Sequence, residues 1–227
     1  MTKRFFDVTI SAIILIVFAP ILVIAVLAVF CEDLKNPIYT AKRVGKNAKL
    51  FSMYKIRSMR VGADKSGVES TSSNDVRITK IGAYIRKYKI DELSQFINVL
   101  FGDMSIVGPR PNTINEVKKY SDEEQRLLLI KPGITDIASI VFSNEGDILR
   151  LSSNPDKDYE CLIRPWKSEL ALNYINHNNF ILDFIIMIAT GIAIFDRPRA
   201  LKIMAKQLVK LKCRKKLIEF TEVGLNI

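Results

Sequence analysis

The run from Val8 to Cys31 carries no charged side chain and is interrupted by Pro20. As a helix rising about 1.5 Å per residue it is longer than the roughly 30 Å hydrocarbon core of a bilayer, which predicts a membrane-inserted segment. Pro20 removes an amide donor and clashes with the carbonyl four residues back, so the helix is expected to bend or break there. Lys3 and Arg4 precede the run, and Lys35, Lys42, Arg43 and Lys46 follow it. Positive charge on both flanks suits a hairpin that enters and leaves at one face; a kinked single-pass anchor is the alternative. A cleaved leader would have a shorter apolar region, and a lipoprotein site would need a small residue where Phe30 precedes Cys31, so the segment is expected to be retained.

Beyond it the pattern shortens. Lys49 to Arg57 reads as a strand or an extended segment, and Gly62 to Asp75, rich in Gly, Ser, Thr and charge, as a mobile surface loop able to act as a lid. From Thr79 to Leu100 the apolar positions fall at helical spacing in two stripes, Ile81, Ile85 and Tyr88, then Leu93, Phe96, Ile97 and Leu100. Two helices are therefore predicted to meet near Lys89-Ile90-Asp91-Glu92. Gly108-Pro109-Arg110-Pro111 is a rigid turn that presents Arg110, and Lys131-Pro132-Gly133 precedes an expected extended run from Ile134 to Phe142. Phe180 to Phe195 is apolar apart from Asp183 but too short to span a bilayer, so a buried or interfacial helix is expected. Leu201, Met204, Leu208 and Leu211 form an apolar stripe among lysines, which predicts a basic amphipathic helix lying on anionic lipid headgroups.

Composition agrees with a membrane partner, since 48% of the 227 residues are apolar and the mean hydropathy is +0.14. The formal charge of +10 looks like a nucleic-acid signal until it is located. Arg197 to Lys216 holds nine Lys/Arg and no acid, and the remainder is near neutral. Phospholipid headgroups meet such a stretch as readily as nucleic acid does, and no nucleic-acid partner is expected. Three scattered cysteines without a CxxC spacing suggest neither zinc nor a disulfide framework. The one histidine, His177, lies in a polar run and reads as a solvated loop residue. There is no Walker A loop and no GxGxxG, which narrows the chemistry to acids and basic side chains.

Asp91-Glu92 is the leading acidic candidate, because it is predicted to open a helix whose N-terminal field favours ionised carboxylates and phosphate. An ionised Asp can attack phosphorus, while a neighbouring Glu and Mg²⁺ manage charge and the acceptor proton. Adjacent acids in a first helical turn are commonplace, so the pair gains meaning only from its surroundings. Asp156-Lys157-Asp158 matches the DxD pattern of metal-dependent glycosyltransferases, although a polar loop has the same composition.

Several stretches carry a family likeness: Lys3-Arg4-Phe5-Phe6-Asp7, the Pro-broken segment, Lys42-Arg43-Val44-Gly45-Lys46, Tyr54-Lys55-Ile56-Arg57-Ser58-Met59 and Thr79-Lys80-Ile81-Gly82. The likeness is most specific from Ile90-Asp91-Glu92-Leu93-Ser94-Gln95 through Gly108-Pro109-Arg110-Pro111, and it continues at Lys131-Pro132-Gly133-Ile134-Thr135. With these motifs the chain resembles the bacterial sugar transferase family of small monotopic polyprenyl-phosphate phosphoglycosyl transferases.

The resemblance implies a membrane-associated, monotopic α/β fold. It would comprise a re-entrant helix broken at Pro20 (1–31), a compact cytoplasmic catalytic domain with amphipathic interfacial helices (32–196) and a basic tail (197–227). It implies transfer of a sugar 1-phosphate from a UDP-sugar to polyprenyl phosphate, usually undecaprenyl phosphate, with release of UMP and a phosphosugar covalently held on Asp91. Glu92 would assist, Asp91 and Glu92 would hold Mg²⁺, and Lys55, Arg57, Arg86 and Arg110 would contact phosphate. The expected location is the bacterial inner membrane with the site facing the cytoplasm, and downstream glycosyltransferases would use the product. Two departures stand out: Ala19-Pro20 replaces Ser-Pro, and Asp136-Ile137-Ala138-Ser139 with Asn144-Glu145-Gly146 replaces a Gly-x-x-Gln-Val-Asn-Gly type loop. The second bears on which sugar is held. Two rivals are a DxD glycosyltransferase that releases UDP and a non-catalytic membrane scaffold.

Overall fold

The computed structural model describes residues 2–66 and 70–223, arranged as two compact units. The first comprises 1–66, 76–106 and 111–134; the second comprises 67–75, 107–110 and 135–227.

The first unit begins with α1 (Thr2–Val17) and α2 (Ala19–Asp33), which together form a helical stretch long and apolar enough to cross a membrane. They part at Phe18, whose φ of −92° and ψ of 5° leave the helical range, with Pro20 in the first turn of α2. Phe18 N–H still donates to Ile14 O and Leu22 N–H to Phe18 O, so the break is a local interruption where the ring of Pro20 supplies no donor. Leu34 stops α2 in a left-handed conformation. Burial is confined to the two ends: Asp7 and Ser11 in α1, Ala25 and Val29 in α2. Ile13, Ile16, Val17, Phe18, Ile21, Val23 and Ile24 between them are exposed.

An antiparallel hairpin follows, β1 (Ile38–Val44) against β2 (Leu50–Ile56), in a register pairing Ile38 with Ile56 and Val44 with Leu50. Next come α3 (Lys80–Lys87) and α4 (Gln95–Phe101). The Thr-Lys-Ile-Gly sequence at the start of α3 has a direct structural reason. Thr79 Oγ1 accepts the N–H of Gly82 at 2.9 Å, and a Cβ on Gly82 would lie 2.0 Å from Ser58 O, so only glycine lets the helix approach that backbone. Two short strands, β3 (Ser105–Val107) and β4 (Gly133–Thr135), pair with each other, and α5 (Ile114–Val117) lies between them in sequence.

In the first unit α1 packs on α4, and α2 packs on α3. Arg4 donates from Nη2 to Leu100 O at 2.9 Å and from Nη1 to Val99 O, satisfying carbonyls at the C-terminus of α4. Buried Asp7 accepts from Ser105 Oγ at 2.7 Å. Arg4 and Asp7 of the Lys-Arg-x-x-Asp sequence thus act as tethers.

The second unit is helical: α6 (Ile137–Val141), α7 (Glu145–Ile148), α8 (Pro155–Asp158), a π-turn at Tyr159–Ile163, α9 (Arg164–His177), α10 (Phe180–Ala193), α11 (Arg197–Lys210) and α12 (Lys215–Val223). Polar side chains of Asp136, Asn179 and Asp196 cap α6, α10 and α11. Inside the unit Tyr174 donates to buried Asp183 at 2.6 Å.

Three expectations from sequence need correction here. The run after Ile134 stays extended only to Thr135, because Asp136 accepts Ser139 N–H and starts α6. His177 ends α9 and its Nδ1 lies 3.0 Å from Asn173 O, so it is a helical residue. The apolar stripe of the tail does not meet lipid: Leu201, Met204 and Leu208 are buried, and α11 packs on α6, α10 and α12. Stacking of Trp166 on Phe220, with ring centroids 4.0 Å apart, and ion pairing of Arg214 with Glu169 fasten the tail to α9. A stripe at helical spacing states that a face is buried, not what covers it.

Candidate active site

The acid pair occupies a short 3₁₀ turn, Ile90–Glu92, entered through Lys89 in a left-handed conformation (φ 54°, ψ 28°). Asp91 and Glu92 therefore precede α4 instead of opening it, and a lysine side chain helps to neutralise them. Lys55 does so: its Nζ lies 3.6 Å from Asp91 Oδ2 and 4.0 Å from Glu92 Oε1. The side chain of Asp91 is 8% exposed, where charge interactions are stronger than in bulk water.

Lys55 reaches the acids because α4 holds β2 by its backbone. Asn98 Oδ1 accepts Tyr54 N–H at 2.9 Å, and its Nδ2 donates to Ser52 O at 2.8 Å. One turn earlier, Ser94 Oγ bonds Tyr54 O and Asp91 O, each at 3.0 Å. Ser94 and Asn98 share one helical face and serve as a polar edge for the strand. Their role was missed in the sequence reading, although two buried hydrogen-bonding residues four apart in an apolar helix were a signal for it. Gln95 is 1% exposed, and among the described residues its Nε2 has no hydrogen-bond partner, one turn after Asp91.

The four basic candidates separate. Lys55 faces both acids. Arg57 is buried and its guanidinium is held by Asp33, with Nη1 to Oδ2 at 2.8 Å and Nη2 to Oδ1 at 2.6 Å, and by Asn36 O at 2.8 Å. Arg86 is half-buried in the last turn of α3. Arg110 belongs to the second unit, where its backbone N–H donates to Asp136 Oδ2 at 3.3 Å.

The DxD acids have local structural duties. Asp156 accepts the N–H of Ser70 at 2.7 Å and Asp158 accepts from Ser152 Oγ at 2.6 Å. Among the described residues no cluster of three or more His, Cys, Asp or Glu side chains is poised to hold a metal. Asp91 and Glu92 still suit Mg²⁺ chemically, since that ion binds through one or two carboxylates together with substrate phosphates. Both carboxylates already turn toward the cationic Lys55.

A helical stretch long and apolar enough to cross a membrane thus precedes a small α/β unit in which a lysine faces a carboxylate pair. The family model described as bacterial sugar transferase matches residues 1–197, and the chain belongs to that family. It is 43% identical over 151 residues to the galactosyl transferase CpsE of Streptococcus agalactiae, covering 62% of this chain and 33% of that protein. It is 38% identical over 178 residues to the UDP-glucose:undecaprenyl-phosphate glucose-1-phosphate transferase of Klebsiella pneumoniae, covering 76% of this chain and 38% of that protein. With the exopolysaccharide production protein PSS of Rhizobium leguminosarum the identity is 39% over 145 residues, covering 61% of this chain and 72% of that protein. The chain thus spans about a third of the first two relatives' length. The match ends where α11 begins, so α11 and α12 lie outside the family pattern.

Proposed function

We propose that the chain transfers a sugar 1-phosphate from a UDP-sugar to undecaprenyl phosphate, giving undecaprenyl diphosphate sugar and UMP. The observation that carries this reading is the convergence of Lys55 on Asp91 and Glu92 within the stretch that the family model matches. The relatives' names supply the substrate class.

In the first step a carboxylate oxygen of Asp91 attacks the sugar-bearing phosphorus. The bond between that phosphorus and the bridging oxygen breaks, and UMP leaves with the oxygen. A phosphate oxygen of the polyprenyl acceptor then attacks the same phosphorus, and Asp91 leaves as the free carboxylate. Lys55 sets a positive charge beside Asp91 and lowers the repulsion between carboxylate and diphosphate. Glu92 takes any proton carried by the acceptor phosphate. Mg²⁺, bound by Asp91 and Glu92, would supply Lewis-acid neutralisation of the diphosphate. Arg86 and Arg110 are assigned to phosphate by the family likeness, whereas the Arg57 guanidinium is committed to Asp33.

The helix pair is read as re-entrant. Arg4 and Asp7 at one end and Asp33 at the other are all bonded to the first unit, while the apolar middle is exposed. Ends separated by about 30 Å of hydrocarbon would not both reach one small unit. Basic residues on both flanks support a reading in which that unit lies on the cytoplasmic side of the bacterial inner membrane. Arg199, Lys202, Lys206 and Lys210, exposed along α11, are suited to anionic headgroups. The product would pass to downstream glycosyltransferases.

The test uses detergent-solubilised protein, Mg²⁺, undecaprenyl phosphate and a panel of UDP-sugars, with UMP and UDP measured separately. UMP release that vanishes in Asp91→Asn supports the reading. UDP release that survives the substitution replaces it with glycosyl transfer.

A further inference from the structure

Lys55, Ile56 and Arg57 are consecutive at the end of β2 and meet three different structures. Lys55 faces the acid pair. Ile56, 2% exposed, lies in a cluster with Ala25 and Val29 of α2 and Ile85 of α3, against which Ile90 also packs. Arg57 grips Asp33, the last residue of α2, through two parallel hydrogen bonds, while its Nε holds Asn36 O. The end of the membrane-length helix pair is thus joined to the acid pair by two routes: the consecutive residues Lys55, Ile56 and Arg57, and Ile90 next to Asp91.

An ordinary surface ion pair would have little leverage here. This one differs because the Arg57 side chain is 7% exposed and its planar fork is matched by both oxygens of Asp33. Two strand residues span about 7 Å of stiff extended backbone. A shift of Asp33 is therefore transmitted to Lys55 and, through the cluster shared by Ile56 and Ile90, to Asp91 as well, so that lysine and acid pair move together.

We infer that the Asp33–Arg57 pair is a positioning device that sets the height of Asp91 relative to the bilayer surface, and so governs attack by the lipid-borne phosphate. The inference rests on the two-step reading above. In that reaction the UDP-sugar arrives from solution and can follow the site wherever it sits. The acceptor phosphate is restricted to the membrane interface, so only the second step depends on height.

The experiment uses the full chain in proteoliposomes of phosphatidylethanolamine and phosphatidylglycerol, comparing Asp33→Ala, Asp33→Asn and Asp33→Glu with wild type. Labelled UMP exchange into UDP-sugar, without acceptor, reads the first step; complete transfer to undecaprenyl phosphate reads both. With Cys161 and Cys213 changed to Ser, labelling of the exposed Cys31 by an impermeant maleimide reports the depth of α2 two residues from Asp33.

For Asp33→Ala and Asp33→Asn, exchange is expected to stay within about twofold while kcat/KM for undecaprenyl phosphate falls about tenfold or more. The Cys31 labelling rate should change in the same variants, and Asp33→Glu should restore both. Equal loss in exchange and transfer, no loss in either, or lost transfer with unchanged Cys31 labelling overturns the inference. Should Asp33→Ala lack a cooperative thermal transition, Asp33→Asn is read in its place. Absence of UMP exchange in wild type itself defeats the two-step reading instead, a separate outcome from any behaviour of the Asp33 variants.

Discussion

Asn98 Oδ1 accepts the backbone N–H of Tyr54 at 2.9 Å, making a helix side chain the partner of a strand edge. The same amide donates to Ser52 O, and Asn98 is fully buried. Removing it leaves one donor and one acceptor of the partly buried strand edge without that partner. Asn98→Ala is expected to lower stability by about 2–4 kcal/mol. Because Lys55 follows Tyr54, UMP release should fall further than the folded fraction does, measured by thermal denaturation and activity on the same preparation.

Lys55 lies within 4.0 Å of both Asp91 and Glu92. Lys55→Met should lower kcat/KM for UDP-sugar by about a hundredfold, with Lys55→Arg retaining the charge and part of the rate. A Lys55→Met enzyme as fast as wild type would remove lysine from the chemistry.

Phe220 stacks on Trp166 with rings 3° from parallel. Phe220→Ala is predicted to destabilise the second unit by about 2–3 kcal/mol and to change the fluorescence of Trp166, with membrane attachment unaltered. A tail acting only as a lipid-binding appendage would show neither effect.

Burial lowers the pKa of Lys131, and the nearby positive charge of Arg4 lowers it further. A lysine whose folded pKa lies below its unfolded value binds fewer protons when folded than when unfolded, so stability rises with pH between the two values. At neutral pH the charged Lys131 opposes folding. Lys131→Gln should therefore melt higher than wild type near pH 7, and the difference should shrink as pH approaches 10.5, which paired thermal scans would show.

The membrane-length helix, its interruption near Pro20, strand β2 and the two helices around the acid pair were all legible in sequence. Each rests on a local rule: an uncharged run, a missing amide, apolar spacing. The acid pair itself was conspicuous only through its motif, since adjacent carboxylates are common on surfaces.

Which charges meet was settled by tertiary structure alone. Arg57 and Lys55 look alike along the chain, yet their side chains reach Asp33 and Asp91 respectively. Ser94 and Asn98 became a strand edge, and the tail's apolar stripe found α6, α10 and α12 instead of lipid. The physical reason is the range of the interactions. Helix formation and proline breaks are decided within a few residues, so the chain itself determines them. Ion pairs, buried amides and the covering of an apolar face depend on partners tens of residues away, and only folding chooses among them.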